Sequence, residues 1–235
     1  MNADIDLGRS NTLLARLSAE DASLISPAFE RVTLAQGEVL FEPMERIDYV
    51  YFFEGGLSSE IVISKDNRIE VGCIGLEGFS AVPVVLGVDR TPHHGFMQAG
   101  GPALRVRAPD LQTVMSENKA LQKLLLLYAH VFMIQIAATA LADGRYDVES
   151  RLARWLLMSQ DRLGDELPLT HEFLGLMLGV RRPSVTDALH VLEGKRAIKS
   201  ERSLITVRNR QLLEEIAAGS YGIPEAEYRR LIIQA

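Results

Sequence analysis

The sequence predicts an α+β fold, with an N-terminal antiparallel β-roll, a long central helix and a C-terminal winged helix-turn-helix. Residues 29–107 contain short runs of β-branched and aromatic residues separated by Gly and Pro, which is typical of a β domain. Residues 118–144 form an apolar stretch without Pro, and residues 169–210 combine two helical patterns with two short strands. We therefore expect a roll in residues 1–116, a dimerisation helix in 117–144 and a winged helix-turn-helix domain in 145–235.

The composition allows two folded units and excludes a mainly disordered chain. The chain has 235 residues, of which 47% are hydrophobic, enough for more than one core. Residues 1–11 show no basic segment followed by an apolar core, so we expect no export signal and a cytoplasmic location. The single cysteine, Cys73, excludes an internal disulfide and a multi-thiolate metal site built from one chain. We expect Cys73 in the core, with no metal and no cofactor.

The N-terminal part begins with a short predicted helix from Leu13 onward and continues as strands. Gly55-Gly56 and Asp66-Asn67 are turn signals where hairpin connections should fall. Several short strands at this spacing predict an antiparallel barrel or roll. The predicted strands are Val39–Phe41, Tyr49–Phe53, Leu57–Ile63, Arg68–Ile74 and Leu104–Arg107.

The central helix is long and carries no charged side chain between Leu124 and Ala142. A membrane span is one interpretation of such a run. However, His130, Gln135 and Thr139 are unfavourable in lipid, and no second span is present. We favour a helix that packs on its own domains and on a second copy of the chain, which predicts a homodimer. Apolar spacing of three, four or seven residues predicts a seam formed by Leu121, Leu125, Tyr128, Phe132, Gln135 and Ala142.

A helix-turn-helix is predicted at His171 to His190, after a connecting helix over Asp147–Arg162. The motif needs a small residue where its helices touch and a Gly in the turn, and Gly175 and Gly179 occupy those positions. Thr170 is the expected N-cap of the first helix. Pro183 suits the first turn of the second helix, where its missing N–H is harmless.

The second helix of this motif presents polar side chains from the end that enters the major groove of DNA. Arg182 is the best candidate for a bidentate contact to guanine, because a guanidinium matches the two acceptors on that base edge. Arg181, Ser184 and Thr186 are predicted to contact phosphates or bases. Asp187 is predicted either to accept from a cytosine amino group or to orient arginines.

Residues 197–207 predict two short strands around a polar turn, which makes the motif winged. Lys199 and Arg202 are placed to touch the DNA backbone, and Thr170 joins them as a predicted contact. Leu169–Arg210 carries eight Lys and Arg against four acids, a net charge of +4 in a chain of −6. This asymmetry indicates a basic DNA-binding segment in an otherwise acidic protein, with double-stranded DNA as the partner.

The order of β-roll, long helix and winged helix-turn-helix resembles the Crp/Fnr family of bacterial transcription regulators over nearly the whole chain. The most specific match is Leu169–Gly194, and the segments Gly37–Phe41 and Tyr51–Leu57 are similar to the opening of the family's roll. The resemblance implies a cyclic-nucleotide-binding-like roll and a homodimer that binds a palindromic operator. It also implies contacts with RNA polymerase. It further implies an effector that changes the relative placement of the two helix-turn-helix domains of the dimer.

The roll departs from members of this family that bind cyclic nucleotides. They carry a Gly-Glu pair, followed along the chain by an Arg-Ser pair. Alignment on Phe79 places Ala81-Val82 at the position of the Gly-Glu pair. It places Thr91-Pro92 or Pro92-His93 near the position of the Arg-Ser pair. The glutamate of the Gly-Glu pair is missing, so we do not expect the roll to bind cyclic AMP. The apolar run Phe79–Leu86 suits an apolar ligand or no ligand. Candidate ligand contacts are Glu77, Ala81, Val82, Arg90, Thr91 and Tyr128.

Other functions are less favoured by the residues present. The lone Cys73 disfavours an iron–sulfur regulator, and His93 and His94 are expected in a solvated loop rather than on a haem. In the helix-turn-helix, relatives that respond to cyclic AMP use Arg-Glu at the positions of Arg182-Pro183 and an Arg at the position of Asp187. Because only Arg182 matches, the operator sequence is not predicted. A regulatory subunit for a partner protein remains an alternative. No nucleophile elbow, P-loop or dinucleotide fingerprint is present, so we expect no enzyme.

Overall fold

The computed structural model describes Leu7, residues 11–65 and residues 67–234. Most of the segment searched for an export signal, residues 1–6 and 8–10, lies outside the described residues. The chain forms two compact units. The first comprises Met1–Glu60, Cys73–Met133 and Ala226–Ala235, and the second comprises Ile61–Gly72 and Ile134–Glu225. This division differs from the three predicted parts, because the long helix contributes to both units.

Antiparallel sheets form the N-terminal part, which confirms the predicted roll. One sheet has the order β1-β7-β3 and the other the order β2-β6-β4-β5. Asp66, half of one predicted turn signal, lies outside the described residues, and Asn67 begins β5. The strands are β1 Phe29–Leu34, β2 Val39–Phe41, β3 Tyr49–Phe53, β4 Leu57–Ser64, β5 Asn67–Ile74, β6 His94–Ala99 and β7 Gly101–Arg107.

Aromatic side chains form the core of the first unit. β3 pairs with β7 from Tyr49 opposite Arg107 to Phe53 opposite Ala103. The Phe52 ring is fully buried, with its centroid 5.4 Å from that of Phe29 and 5.1 Å from that of Phe79. Aromatic pairs at these separations stabilise a core beyond the area that they bury. These rings pack the β1-β7-β3 sheet against the segment that carries Phe79.

All five predicted strands are present, but β1 and β6 are missing from the prediction. β6, with the sequence HGFMQA, contains a glycine and no β-branched residue, so its local pattern does not indicate a strand. It forms because β2 and β4 lie on either side of it and pair with its backbone. The expectation of a solvated loop at the two histidines is therefore wrong for His94, which begins this strand.

Three α-helices belong to or begin in the first unit: α1 Ala19–Ile25, α2 Ala108–Glu117 and α3 Lys119–Arg145. Short 3₁₀-helices span Leu14–Arg16, Ser26–Ala28 and Val82–Leu86. The predicted end of the long helix at Gly144 is one residue early, since Arg145 is still helical. Among the described residues α3 alone is long and apolar enough to cross a membrane, and 33% of its most apolar window is buried inside the chain.

The predicted dimer seam on α3 lies on a face of the helix that the chain itself buries. Its six residues have exposed fractions between 0% and 5%, and the seam stays a prediction. Another stripe along the same helix is exposed. From Leu126 to Ala140 its members are three or four residues apart, and Leu141 follows directly. The stripe consists of Leu126, His130, Met133, Ala137, Ala140 and Leu141. Apolar spacing of three or four residues is found on both faces of the helix, and the predicted seam is the inner face.

The second unit contains the helices that follow. Asp147 caps α4 by accepting a hydrogen bond from the Ser150 backbone N–H at 2.8 Å, and Leu152 and Trp155 of that helix are buried. A three-stranded sheet has the order β8-β10-β9. The elements are α4 Val148–Leu163, β8 Glu166–Leu167, α5 His171–Leu178, α6 Arg182–Gly194, β9 Ile198–Glu201, β10 Leu204–Val207, α7 Arg210–Ile216 and α8 Ile223–Tyr228, the last of which ends beyond this unit.

Candidate nucleic-acid interface

The first helix of the motif, α5, has the two ends that the sequence predicts. Thr170 has extended backbone geometry, and its hydroxyl accepts a hydrogen bond from the Phe173 N–H at 3.2 Å. The helix ends at Gly179, whose φ of +60° is left-handed and suits glycine best. A Cβ on Gly175 would lie 3.1 Å from the Val180 carbonyl oxygen. The tight turn therefore requires a small residue at that position.

The second helix, α6, buries one face and exposes its beginning. Arg181 is the N-cap residue. Pro183 lies in the first turn, where the sequence predicts it. Val185, Ala188, Leu189 and Leu192 are buried. The helix N-terminus carries free N–H groups and a partial positive charge, and the exposed side chains around it are Arg181, Arg182, Pro183 and Asp187.

The predicted wing is present as the β9–β10 hairpin. Leu204 pairs with Glu201 and Val207 with Ile198, so Arg202 and Ser203 form the tip. The side chain of Arg202 is exposed. The ammonium of Lys199 lies 2.8 Å from the Glu201 carboxylate. Both side chains are half exposed, so water screens this pair and it can exchange for a phosphate contact.

Residues from the motif and from the wing meet at a cleft of about 260 Å³, called the wing cleft here. Thr170, Arg182 and Arg202, all predicted DNA contacts, line it together. Its remaining lining residues are His171, Glu172 and Ser203. His171 is absent from the predicted contacts, although its place as the first residue of α5, next to Thr170, is a signal that the sequence contained.

Thr186 already has partners within the motif. Its hydroxyl donates to the Arg182 carbonyl oxygen at 3.2 Å and lies 3.2 Å from Nδ1 of His171. The hydroxyl therefore joins α5 to the first turn of α6. Ser184 is partly exposed, and its backbone N–H donates to the Arg181 carbonyl oxygen at 3.0 Å. Of the two hydroxyls, that of Ser184 is the more available for a phosphate.

The candidate ligand residues of the roll make separate local contacts. The Glu77 carboxylate accepts from the Gly75 N–H at 3.1 Å. Arg90 is exposed and donates to the Met44 carbonyl oxygen at 2.9 Å. Neither contact joins the two side chains at a common site, so the suggestion that they replace the missing Gly-Glu and Arg-Ser pairs gains no support.

The remaining ligand candidates are buried. Thr91 accepts from the His93 N–H at 3.3 Å, and Tyr128 packs its ring 5.0 Å from that of Phe79. Ala81 and Val82 are 0% and 4% exposed. These residues serve the core of the first unit.

The two histidines are partly exposed, and each pairs with a carboxylate. Nδ1 of His93 lies 2.6 Å from Glu60, and Nδ1 of His94 lies 2.8 Å from Glu42. The hydrogen bond to Glu60 raises the pKa of His93 above 6.5, and burial only partly opposes it. Gln98 is fully buried, and neither of its amide atoms has a hydrogen-bond partner among the described residues. The roll thus contains polar groups that the sequence did not single out.

Comparisons with known proteins agree with this architecture. A model of the Crp-like helix-turn-helix domain matches residues 150–216. A search of curated proteins finds no match. FixK2 from Bradyrhizobium japonicum is similar over 80% of this chain and 96% of its own, with 17% identity and a TM-score of 0.67.

Two further solved structures are similar over most of their length. For the c-di-GMP-responsive global regulator CLP of Xanthomonas campestris, the identity is 15% and the TM-score 0.64, over 81% of this chain and 99% of that one. For a CRP/FNR-family regulator from Thermus thermophilus, the identity is 17% and the TM-score 0.60, over 81% and 100%. At these identities the likeness shows the fold. The chain therefore has the fold of these Crp/Fnr-family structures and contains a Crp-like helix-turn-helix domain.

Proposed function

We propose that the protein is a cytoplasmic transcription regulator that binds a palindromic DNA site as a homodimer, with α6 in the major groove. The observation that carries this proposal is the wing cleft, which Arg182 from the start of α6 and Arg202 from the wing line together with Thr170. Guanidinium groups bind phosphates and guanine edges bidentately. A recognition helix and a wing that share one basic cleft are suited to bind a DNA groove and the phosphate backbone beside it.

The exposed stripe of α3 supports the homodimer. Leu126, Met133 and Leu141 are 42%, 53% and 52% exposed, which is high for large apolar side chains. The stripe contains no Lys, Arg, Asp or Glu, and its steps of three and four residues from Leu126 to Ala140 match the seam of a two-stranded coiled coil. A second copy of α3 offers the same apolar stripe and covers it symmetrically. Two reading heads on one symmetric dimer then require a palindromic site.

Regulation by an effector and contact with RNA polymerase complete the proposal. Both follow from the family resemblance, and no residue is assigned to the polymerase contact. The missing Gly-Glu and Arg-Ser pairs argue against cyclic AMP. Buried side-chain atoms of Glu60 and Gln98 have no hydrogen-bond partner among the described residues. They favour a polar effector of the roll over the apolar ligand that Phe79–Leu86 indicates.

Binding of the wild-type protein and of Arg182→Ala to duplex DNA tests the proposal. We expect wild-type affinity to fall steeply with salt, because Lys and Arg displace counterions from phosphates. Arg182→Ala should weaken binding to the preferred site by about 1–3 kcal/mol and relax one base position. Arg16→Ala is the matched control, because Arg16 is exposed and lies outside the motif, and it should bind like wild type. Absence of salt-dependent binding would instead favour a regulatory subunit whose motif contacts protein.

A further inference from the structure

The tip of the β4–β5 hairpin packs on the helix-turn-helix. Residues Ile61–Gly72 belong to the same compact unit as α4, α5 and α6. Glu70 is 4% exposed, and its carboxylate accepts a hydrogen bond from Nε1 of Trp155 on α4 at 3.1 Å. The side chain of Ile69 lies 3.1 Å from the position that a Cβ on Gly179 would occupy. The hairpin is therefore fixed both to the connecting helix and to the turn of the motif.

This packing creates a second basic cleft, the hairpin cleft, of about 490 Å³. Arg68 of the hairpin lines it together with Arg181 and Arg182 at the start of α6. Asn67, His171 and Glu172 are also part of its lining. Within the described part of the chain, no hydrogen bond or ion pair engages the guanidinium groups of the three arginines. The cleft thus gathers three positive charges against one carboxylate.

The charge of this cleft determines which partner fits it. Three guanidinium groups at one cleft repel each other unless an anion lies among them, and a phosphate accepts hydrogen bonds from guanidinium in a bidentate manner. A hairpin that served only to cover the start of α6 would be expected to place neutral or acidic side chains beside Arg181 and Arg182. Arg68 instead adds a third cation.

We propose that Arg68 completes the hairpin cleft as a binding site for a backbone phosphate of duplex DNA, beside the groove that α6 enters. The inference rests on the proposed function, because it takes the start of α6 to be the DNA-reading end. It makes the β4–β5 hairpin a third DNA-contacting element, next to the motif and the wing. A phosphate contact carries no sequence information by itself, so Arg68 contributes to affinity and orientation rather than to base choice.

The test compares Arg68→Gln with wild type on a random duplex of about 30 base pairs, between about 50 and 200 mM salt. One phosphate contact contributes about 0.9 to the slope of log affinity against log salt, so the loss is about eightfold at about 0.1 M salt. We expect this loss, with a slope smaller by about 0.9 and an unchanged base preference. Arg68→Lys should keep most of the affinity, and Arg16→Gln, which removes an equal charge outside the cleft, should match wild type.

Several results would overturn the inference. Arg68→Gln could bind duplex DNA with the affinity and slope of wild type, or it could bind more tightly, which would make the hairpin a cover over the reading head. Inorganic phosphate could stabilise wild type but not Arg68→Gln against heat while DNA binding is equal, which would assign the cleft to a free anion. If wild type itself binds no duplex, the proposed function fails rather than the role of Arg68 alone.

Discussion

At the residue level, Arg182 connects the parts of the proposed interface. It lines the wing cleft with Arg202 and the hairpin cleft with Arg68. Its carbonyl oxygen accepts a hydrogen bond from Thr186, which also lies within hydrogen-bond distance of His171. The backbone of α6 is thereby fixed to α5 while the guanidinium stays exposed. A positioned backbone with a free guanidinium is the arrangement that base contact requires.

The pair formed by His93 and Glu60 predicts a pH dependence of stability. The pKa of His93 is raised in the folded protein, first by its hydrogen bond to Glu60, so protonated His93 stabilises the fold. This stabilisation is fully present below the ordinary pKa of 6.5 and is lost as the pH rises through the raised value. Urea unfolding should show that His93→Gln lowers the free energy of unfolding more at acidic than at alkaline pH.

His190→Gln is the matched control for this measurement, because His190 is exposed on α6. Its unfolding free energy should follow that of wild type over the same pH range. A constant difference between wild type and His93→Gln from acidic to alkaline pH would contradict the role assigned to the pair.

Residues that obey local rules were predictable from the sequence, whereas residues paired across the fold were not. Thr170, Gly175, Gly179 and Pro183 follow from the conformational preferences of helix ends and tight turns. Glu60 is separated from His93 by 33 residues along the chain, and Arg68 meets Arg181 only through the folded hairpin. No spacing rule relates such residues, because the sheet and the packing of the hairpin bring them together.

At the element level, α3 has an apolar face on each side. Leu121 and Leu125 are fully buried by the chain, while Leu126 and Met133 are exposed. Apolar periodicity along one helix cannot tell which face meets the protein's own core, because both faces obey the same three-and-four spacing. The length of the helix was predictable, and the assignment of its faces required the structure.

Met133→Glu should shift the protein from dimer to monomer at micromolar concentration. In a symmetric dimer the two introduced carboxylates would be buried close to each other in an apolar seam, where unpaired charge is costly. Sedimentation should show the smaller species. Leu24→Glu is the control, since Leu24 is 69% exposed on α1 and is not part of the stripe, and it should leave the dimer intact. A wild-type protein that is a stable monomer would refute the seam altogether.

At the level of the whole molecule, charge and architecture both separate the segment that carries the helix-turn-helix and wing from the rest of the chain. The basic segment Leu169–Arg210 carries +4, and the rest of the chain therefore carries −10. An acidic body limits nonspecific contact with nucleic acid away from the reading head. The fold class was predictable because each part has its own periodicity. The operator was not, since only Arg182 matches the reading residues of relatives that respond to cyclic AMP.

Selection of DNA fragments bound by the wild-type protein from its source genome tests the central claim most directly. The account predicts an enriched palindrome whose half-sites are separated by one helical turn, about 34–36 Å, because two α6 helices of a symmetric dimer read one face of the duplex. Arg182→Ala should lose the enrichment at one base of each half-site, and Arg16→Ala should keep it. Enrichment of no sequence, with recovery of fragments that does not depend on salt, would contradict the account.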